Sequence, residues 1–450
     1  MRLGARLRQR RHARAARSVI TLLAMAVTGL LAVPPVAWAA ASAEAAAQDV
    51  AGIGAFNGVA CPSKSHCVGV GVIFTTASSG AAGAAAPLTA ASGTVSGGHA
   101  VLSIAGTELL SGVSCPSATL CLAVGENSDA SQGVAVPLDP ETGTVVAGQS
   151  VQSIPGIFMA AVACPSTIRC LGVGHAPDGQ GVAVSLDPAT GAIARGEKVQ
   201  TIAGTGGVGL EGVACPAATQ CLAVGENAGA TAGAAVALNP ATGAPSRGQS
   251  RQNVTIKGVL VAVSCPSAAV CLAVGWGAGD PSVAVPLDPA TAMVPSGRRD
   301  QTVSSRAAKL SALTCPSVSQ CLAVGNDDGD PSKGQAVPLS PVTGLISSGK
   351  SIQNLSGTGA LNAAACPSAT RCVVAGSSFE AAGGVSLVLS PATGSPTPPT
   401  TVIASGAGPP ASASGDVLPR IVGGVALVAA GAALVGVTWH RRRKRTAAAG

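Results

Sequence analysis

Leu110-Ser111-Gly112-Val113-Ser114-Cys115-Pro116-Ser117-Ala118-Thr119-Leu120-Cys121-Leu122-Ala123-Val124-Gly125 is the stretch whose reading decides the fold. Its two flanks are short, apolar and β-prone, and Pro116 to Leu120 supplies turn chemistry, so the segment predicts a hairpin with a cysteine at each facing strand end. A variable loop, Glu126 to Gln132, then leads into Gly133-Val134-Ala135-Val136-Pro137-Leu138, Asp139-Pro140-Glu141-Thr142-Gly143 and Thr144-Val145-Val146. In that second turn Asp accepts local backbone hydrogen bonds, Pro presets φ, and the final Gly supplies the left-handed residue that closes a bulged hairpin. Two hairpins make one four-stranded antiparallel unit.

The unit recurs along the chain. The cysteines form the pairs Cys61/Cys67, Cys115/Cys121, Cys164/Cys170, Cys215/Cys221, Cys265/Cys271, Cys315/Cys321 and Cys366/Cys372, with none left over, and successive first cysteines stand 54, 49, 51, 50, 50 and 51 residues apart. The second turn returns as Asp187-Pro188-Ala189-Thr190-Gly191, Asn239-Pro240-Ala241-Thr242-Gly243, Ser340-Pro341-Val342-Thr343-Gly344 and Ser390-Pro391-Ala392-Thr393-Gly394, while Asp288-Pro289-Ala290-Thr291-Ala292 lacks the Gly. Four-stranded sheets repeated at this period predict an all-β, seven-bladed β-propeller over residues 46–394. The rival, an open β-solenoid, generally has shorter coils. Gln48 to Val59 look like the segment before Cys164, and the seventh copy runs out soon after Gly394, so the N-terminal strand is expected to complete the last blade.

Facing residues of an antiparallel hairpin bring their Cβ atoms close enough for a disulfide, so each cysteine pair is read as one bond. A redox motif needs two residues between cysteines, and here there are five. A zinc site needs further ligands, and His66, His99 and His175 recur at no common position. The core must be built from small and aliphatic residues, because the chain has 4 Phe, 3 Trp and no Tyr.

The net charge of +7 resides at the ends, with seven arginines in the first 17 residues and five basic residues in Arg441 to Arg445. Elsewhere the acidic residues outnumber the basic ones, which argues against nucleic acid as a partner. The basic start, the apolar run Val19 to Val33 and Ala37-Trp38-Ala39 read as a signal peptide, residues 1–39, with an uncleaved first span as the alternative. Ile421 to Trp439 is an uncharged stretch of membrane-spanning length, and the basic tail 440–450 places the C-terminus in the cytoplasm by the positive-inside rule. Residues 395–417, rich in Pro, Ser, Thr and Gly, read as an extended stalk. The expected protein is a single-pass membrane protein with its bulk outside the cell. Leu418-Pro419 also resembles the start of a sortase signal, which would couple the chain to the cell wall, but the Thr-Gly that a sortase cleaves is replaced by Ile421-Val422.

The hairpin from Val113-Ser114-Cys115-Pro116-Ser117 to Cys121-Leu122-Ala123-Val124-Gly125 resembles that of secreted bacterial propellers related to the Asp-box, sialidase-like group. This resemblance, spanning all seven repeats, implies fold and export. It does not carry the group's chemistry, since the catalytic Tyr has no counterpart here and Pro-x-Thr-Gly turns replace the Asp-box.

The turns are uniform, whereas the loops after each Val-Gly differ, and varied loops on one side of a rigid scaffold are where recognition is usually placed. Trp276 and Phe379 are the aromatic residues of those loops and the expected partner anchors; the alternative reading of each is an ordinary half-buried side chain. Asp327, Asp328 and Asp330, with Asp280 in the preceding repeat, could hold calcium, or form a solvated acidic turn. No nucleophile, base and orienting group recur together, and no cofactor is implied. The reading is a non-enzymatic binding or display module for an extracellular protein or peptide. An extracellular hydrolase or lyase on the same scaffold, or a structural envelope protein, are the alternatives.

Overall fold

The computed structural model describes residues 47–74, 80–255, 258–277, 281–304, 308–327, 329–379 and 383–398. The leader at 1–39, the span Ile421–Trp439, the basic tail, the stalk beyond residue 398, Asp280 and Asp328 lie outside the described residues. Among those described, no helix is long and apolar enough to cross a membrane.

Seven four-stranded antiparallel sheets form a β-propeller. Blade one runs from β2 (Ala55–Ala60) through β3 (His66–Phe74) and β4 (Ala81–Thr89) to β5 (Leu102–Ser103). Blade two holds β6 (Thr107–Ser117), β7 (Leu120–Asn127), β8 (Gly133–Leu138) and β9 (Gln152–Ile154). Blades three to six begin with β10 (Phe158–Ser166), β14 (Thr205–Ala217), β18 (Val259–Ser267) and β22 (Ala308–Ser317). Blade seven takes β26 (Leu361–Ser368), β27 (Arg371–Ser377) and β28 (Gly384–Leu389) from the end of the repeat array, and its outermost strand, β1 (Gln48–Val50), from the start. Gln48, Asp49 and Val50 pair with Ser386, Val385 and Gly384, so the ring closes by strand exchange between the chain's two ends.

The core lies between blades. Each hydrophobic cluster draws on two neighbours, as where Leu272 and Val274 of blade five meet Leu310, Leu313 and Val337 of blade six. Val, Leu and Ala fill these layers, which is how a propeller closes with almost no aromatic core. Backbone and hydroxyl groups also cross the seams: Thr205 Oγ1 accepts from Gly181 N at 2.8 Å and donates to Ile202 O at 2.6 Å. Thr255 and Thr358 accept in the same way from Gly233 and Gly334. Where the threonine is replaced by Ile157 or Ile53, the backbone carbonyl of that isoleucine accepts from Gly133 or Gly384 instead. Blades one and three thus share a variant latch, which explains why their approach sequences look alike.

All seven expected disulfides are formed: Cys61–Cys67, Cys115–Cys121, Cys164–Cys170, Cys215–Cys221, Cys265–Cys271, Cys315–Cys321 and Cys366–Cys372, with Cα atoms 3.8–4.0 Å apart. The two partners of a bond are not equivalent. The second cysteine of each pair, Cys67, Cys121, Cys170, Cys221, Cys271, Cys321 or Cys372, is fully buried and packed into an inter-blade cluster. The first stays partly exposed and lies close to the neighbouring blade. Cys164 Sγ, for example, lies 3.8 Å from Ser114 O, a contact rather than a hydrogen bond because an oxidised sulfur has no proton to give.

The placement of the cysteines at facing strand ends needs correction. Each second cysteine sits inside its strand and pairs sideways with a leucine of the third strand: Cys67 with Leu88, Cys121 with Leu138, Cys170 with Leu186, Cys221 with Leu238, Cys271 with Leu287, Cys321 with Leu339 and Cys372 with Leu389. The sulfurs therefore staple the interior of a sheet, which is why these seven residues are buried rather than carried on an exposed turn. Nor is Pro116 to Leu120 a five-residue turn, because the strands resume beyond the bond, Ser117 pairs with Leu120, and only Ala118 and Thr119 reverse the chain. The ladder skips Cys115 and Pro116 since proline offers no N–H.

The outer turns follow the sequence reading. Asp139 Oδ1 accepts from Glu141 N at 2.9 Å, Gly143 N donates to Asp139 O at 2.8 Å, and Gly143 has φ 73°. Ala292 takes the same left-handed position at φ 58°, and its fully buried methyl offsets part of that strain. Blade one makes the turn as well, with Gly93 at φ 77°, although Ala90 and Ala91 stand where other copies carry Pro and its successor.

Candidate functional site: the channel mouth and the loop face

Because strands alternate in direction, both hairpin turns of every blade lie on one face of the disc, and the varied loops and blade-to-blade connections lie on the other. The innermost strand of each blade carries a β-bulge at one place. The register steps over Asn57, Ser111, Ala160, Glu211, Val261, Ser311 and Asn362, which occupy this position from blade one to blade seven. A bulge turns its extra residue out of the ladder. Here the extra residues line the central channel.

The bulge also explains the glycine that ends every cysteine hairpin, after Val in six copies and after Ala375 in the seventh. Gly71, Gly125, Gly174, Gly225, Gly275, Gly325 and Gly376 each pair with the residue just before the bulge. A Cβ on any of them would overlap the carbonyl oxygen one residue further back, on Ala55, Leu109, Phe158, Gly209, Val259, Lys309 or Ala360. Glycine is required there by close approach of backbone rather than by a special φ.

The channel holds an open cavity of about 330 Å³ lined by the inner strands of all seven blades. Its wall is mostly Gly, Ala and Val, relieved by the polar residues Asn57, Ser111, Glu211, Ser311 and Asn362, and no cysteine reaches it. The disulfides thus belong to the scaffold and not to the site. Asn362 Nδ2 donates to Phe56 O at 3.2 Å and Asn57 Nδ2 to Leu110 O at 3.1 Å, so two members of the ring stitch blades seven, one and two together beside the closure. Glu211 is the single ionisable residue among those lining the cavity. Trp276, the last residue of β19 (Val270–Trp276), is the one lining residue that comes from the second strand of a blade.

All five aromatic residues among the described ones lie toward the loop face. Phe56 is buried near the start of β2, and the Phe158 and His175 rings stack obliquely across blade three with centroids 5.1 Å apart. Trp276 is at the cavity, while Phe379 on blade seven and Phe74 on blade one are 47% and 49% exposed. Of the two anchors expected from sequence, Trp276 therefore lines the channel and Phe379 stands on the same face away from it. Phe74 escapes the sequence reading because blade one has no recognisable copy of the varied loop. Glu211 and the two asparagines escape it as well, although a large apolar residue, then x, then Gly or Ala recurs in all seven copies, with x polar in five, and is the trace that the bulge leaves in the sequence.

The acidic segment of blade six is more ordered than a loop. β23 (Gln320–Asp327) and β24 (Asp330–Leu339) run on until Asp327 pairs with Asp330. Asp330 Oδ2 meets Lys333 Nζ at 2.8 Å and its Oδ1 accepts from Ser332, while Asp327 Oδ1 accepts from Gly329 N at 2.9 Å. The bond to Lys333, then that to Ser332, holds the Asp330 carboxyl below its ordinary range. Among the described residues no three His, Cys, Asp or Glu side chains gather as a metal site would require.

Glu126, on the loop face of blade two, is the opposite case: burial, and then the charge of Glu108, push its carboxyl above its ordinary value. A raised acid pKa means that the folded state holds the proton more tightly than the unfolded chain. Stability is therefore lost as pH rises from the ordinary glutamate range through the folded value. Glu126→Gln is expected to raise the melting temperature at about pH 7, with the gain disappearing near pH 4; a gain of equal size at both pH values would contradict the assignment.

No family model matches the chain. No curated protein matches its sequence either. Among solved structures the chain is similar to the PQQ-bound aldose sugar dehydrogenase from Streptomyces coelicolor, at 12% identity over 62% of this chain and 92% of that one, with a TM-score of 0.41. YCF48 from Cyanidioschyzon merolae is similar at 12% identity over 76% and 98%, TM-score 0.44, and Kuenenia stuttgartiensis hydrazine synthase at 10% over 62% and 76%, TM-score 0.43. At this level the likeness assigns no residue a role.

Proposed function

We propose that the protein is a membrane-anchored, exported binding module, without enzymatic activity, that engages a protein or peptide partner through the loop face of its propeller. The observation that carries this is the one-sided distribution of aromatic residues and varied loops around the channel mouth, on a scaffold whose other face repeats the same two turns. Aromatic anchors are the side chains that most often dominate an interface. Apolar residues are also exposed on the turn face, Ile168 at 74%, Val318 at 61%, Leu345 at 52%, Met293 at 50% and Val342 at 39%, but all of them sit on the repeated turns and none is aromatic.

Capture of cell-surface partners by the tagged full chain tests the proposal. Trp276→Ala and Phe379→Ala are each expected to reduce capture about tenfold or more, as loss of an interface anchor does, while Val342→Ala on the turn face leaves it unchanged. Equal capture by all three variants would refute the loop face as the binding surface.

A further inference from the structure

The channel mouth combines two groups in adjoining blades that share one kind of ligand. Glu211 occupies the bulge position of β14, and Trp276 ends β19, whose partner strand β18 runs directly beside β14. The contact is close enough that a Cβ on Gly212 would lie 2.9 Å from Val261 O. Val259, two residues before Val261, is the backbone partner of Trp276. Both side chains line the same cavity.

We infer that the channel mouth receives a cationic group, an alkylammonium or guanidinium, held between the Glu211 carboxylate and the Trp276 indole. A carboxylate in a mouth walled by Gly, Ala and Val attracts a cation more strongly than one in open water, because the walls lower the local dielectric and focus the field. Tryptophan is the side chain that binds cations best through its ring. A carboxylate accepts several hydrogen bonds through its two oxygens, so a neighbour already bonded to Glu211 leaves capacity for a ligand. The cavity, about 330 Å³, sits at the lower end of small-ligand sites and admits a long side chain but no folded element. This inference rests on the loop face being the binding surface and names what the partner contributes: a lysine or arginine side chain projecting into the ring. The same chemistry could be offered by a free small amine, and the experiment separates the two.

The chain has 3 Trp, so the full chain carrying Trp38→Phe and Trp439→Phe reports from Trp276 alone by fluorescence. Titration with N-acetyl-lysine methylamide and N-acetyl-arginine methylamide is expected to give a saturable change. Apparent affinity should fall about tenfold or more for the neutral norleucine and citrulline analogues, and again for Glu211→Gln, the loss typical of a charge-assisted bond. An absent response, or norleucine binding as well as lysine, or Glu211→Gln leaving lysine affinity unchanged, overturns the cation site. If n-butylammonium binds and the capped amino acids do not, a partner side chain is ruled out as the source. Partner capture lost in Trp276→Ala but intact in Glu211→Gln overturns this inference while leaving the loop-face reading in place; capture intact in both and in Phe379→Ala removes that reading as well.

Discussion

Reduction of the purified full chain is expected to unfold the propeller at temperatures where the oxidised protein is intact. Each disulfide closes a loop with a sequence separation of 6. In the chain-entropy model a loop of that size stabilises by about 2 kcal/mol. Seven such bonds contribute about 14 kcal/mol, as large as the whole net stability of an ordinary domain at roughly 5–15 kcal/mol. The inter-blade layers of Val, Leu and Ala, with Phe56 as the one fully buried aromatic side chain among the described residues, provide little aromatic reserve to replace that contribution. One bond should matter far less: the pair Cys115→Ala and Cys121→Ala is expected to cost about 2 kcal/mol, leaving the ring folded with a lower melting temperature. Circular dichroism melts with and without a phosphine reductant separate these cases. A reduced protein melting within a few degrees of the oxidised one would show that the cysteines contribute little.

The second large effect concerns the glycine opposite each bulge. Gly125→Ala would place a methyl group on the Leu109 carbonyl oxygen and close to the Leu110 backbone, and neither can move without parting β6 from β7. Overpacking of this kind costs about 3 kcal/mol. The same change at Gly325 meets the Lys309 carbonyl, and because the two positions lie in non-adjacent blades their costs should add. Gly97→Ala is the control: nothing lies within 4 Å of its added Cβ and its backbone is not left-handed, so no loss is expected. Denaturant midpoints of the three single variants and the Gly125/Gly325 pair provide the comparison. A Gly125→Ala protein as stable as the Gly97→Ala protein would mean that the bulge relaxes freely.

These two effects differ in how visible their causes are in the sequence. The cysteine pairs announce themselves, since bonded partners are separated by a handful of residues and recur at one period. The glycine requirement does not. A glycine ends every copy of the hairpin, yet its cause is a carbonyl on the preceding strand, brought across only by an irregular step in pairing. The same step hides the channel lining. A regular two-residue alternation assigns Ser111 to a sheet face, whereas the bulge at that position turns it toward the axis. The tight turn beyond Cys115 is hidden for a related reason, because a ladder that merely skips a proline reads in sequence as one that ends at the disulfide. The burial of Cys67, Cys170, Cys221 and their counterparts follows from their pairing with a leucine of the third strand, since a cysteine inside a strand faces the next blade.

By itself, the sequence determined the number of blades, the pairing of the cysteines, the left-handed glycines of the Pro-x-Thr-Gly turns and the origin of the closing strand. All of these depend on interactions within one hairpin or on the copying of one unit. Only the tertiary structure decided what lies at the axis. Glu211 and Trp276 belong to successive repeats, and Asn57 and Asn362 to opposite ends of the array. A side chain's neighbours at the centre of a ring come from every other blade, and no local rule of spacing brings them together until the ring has closed.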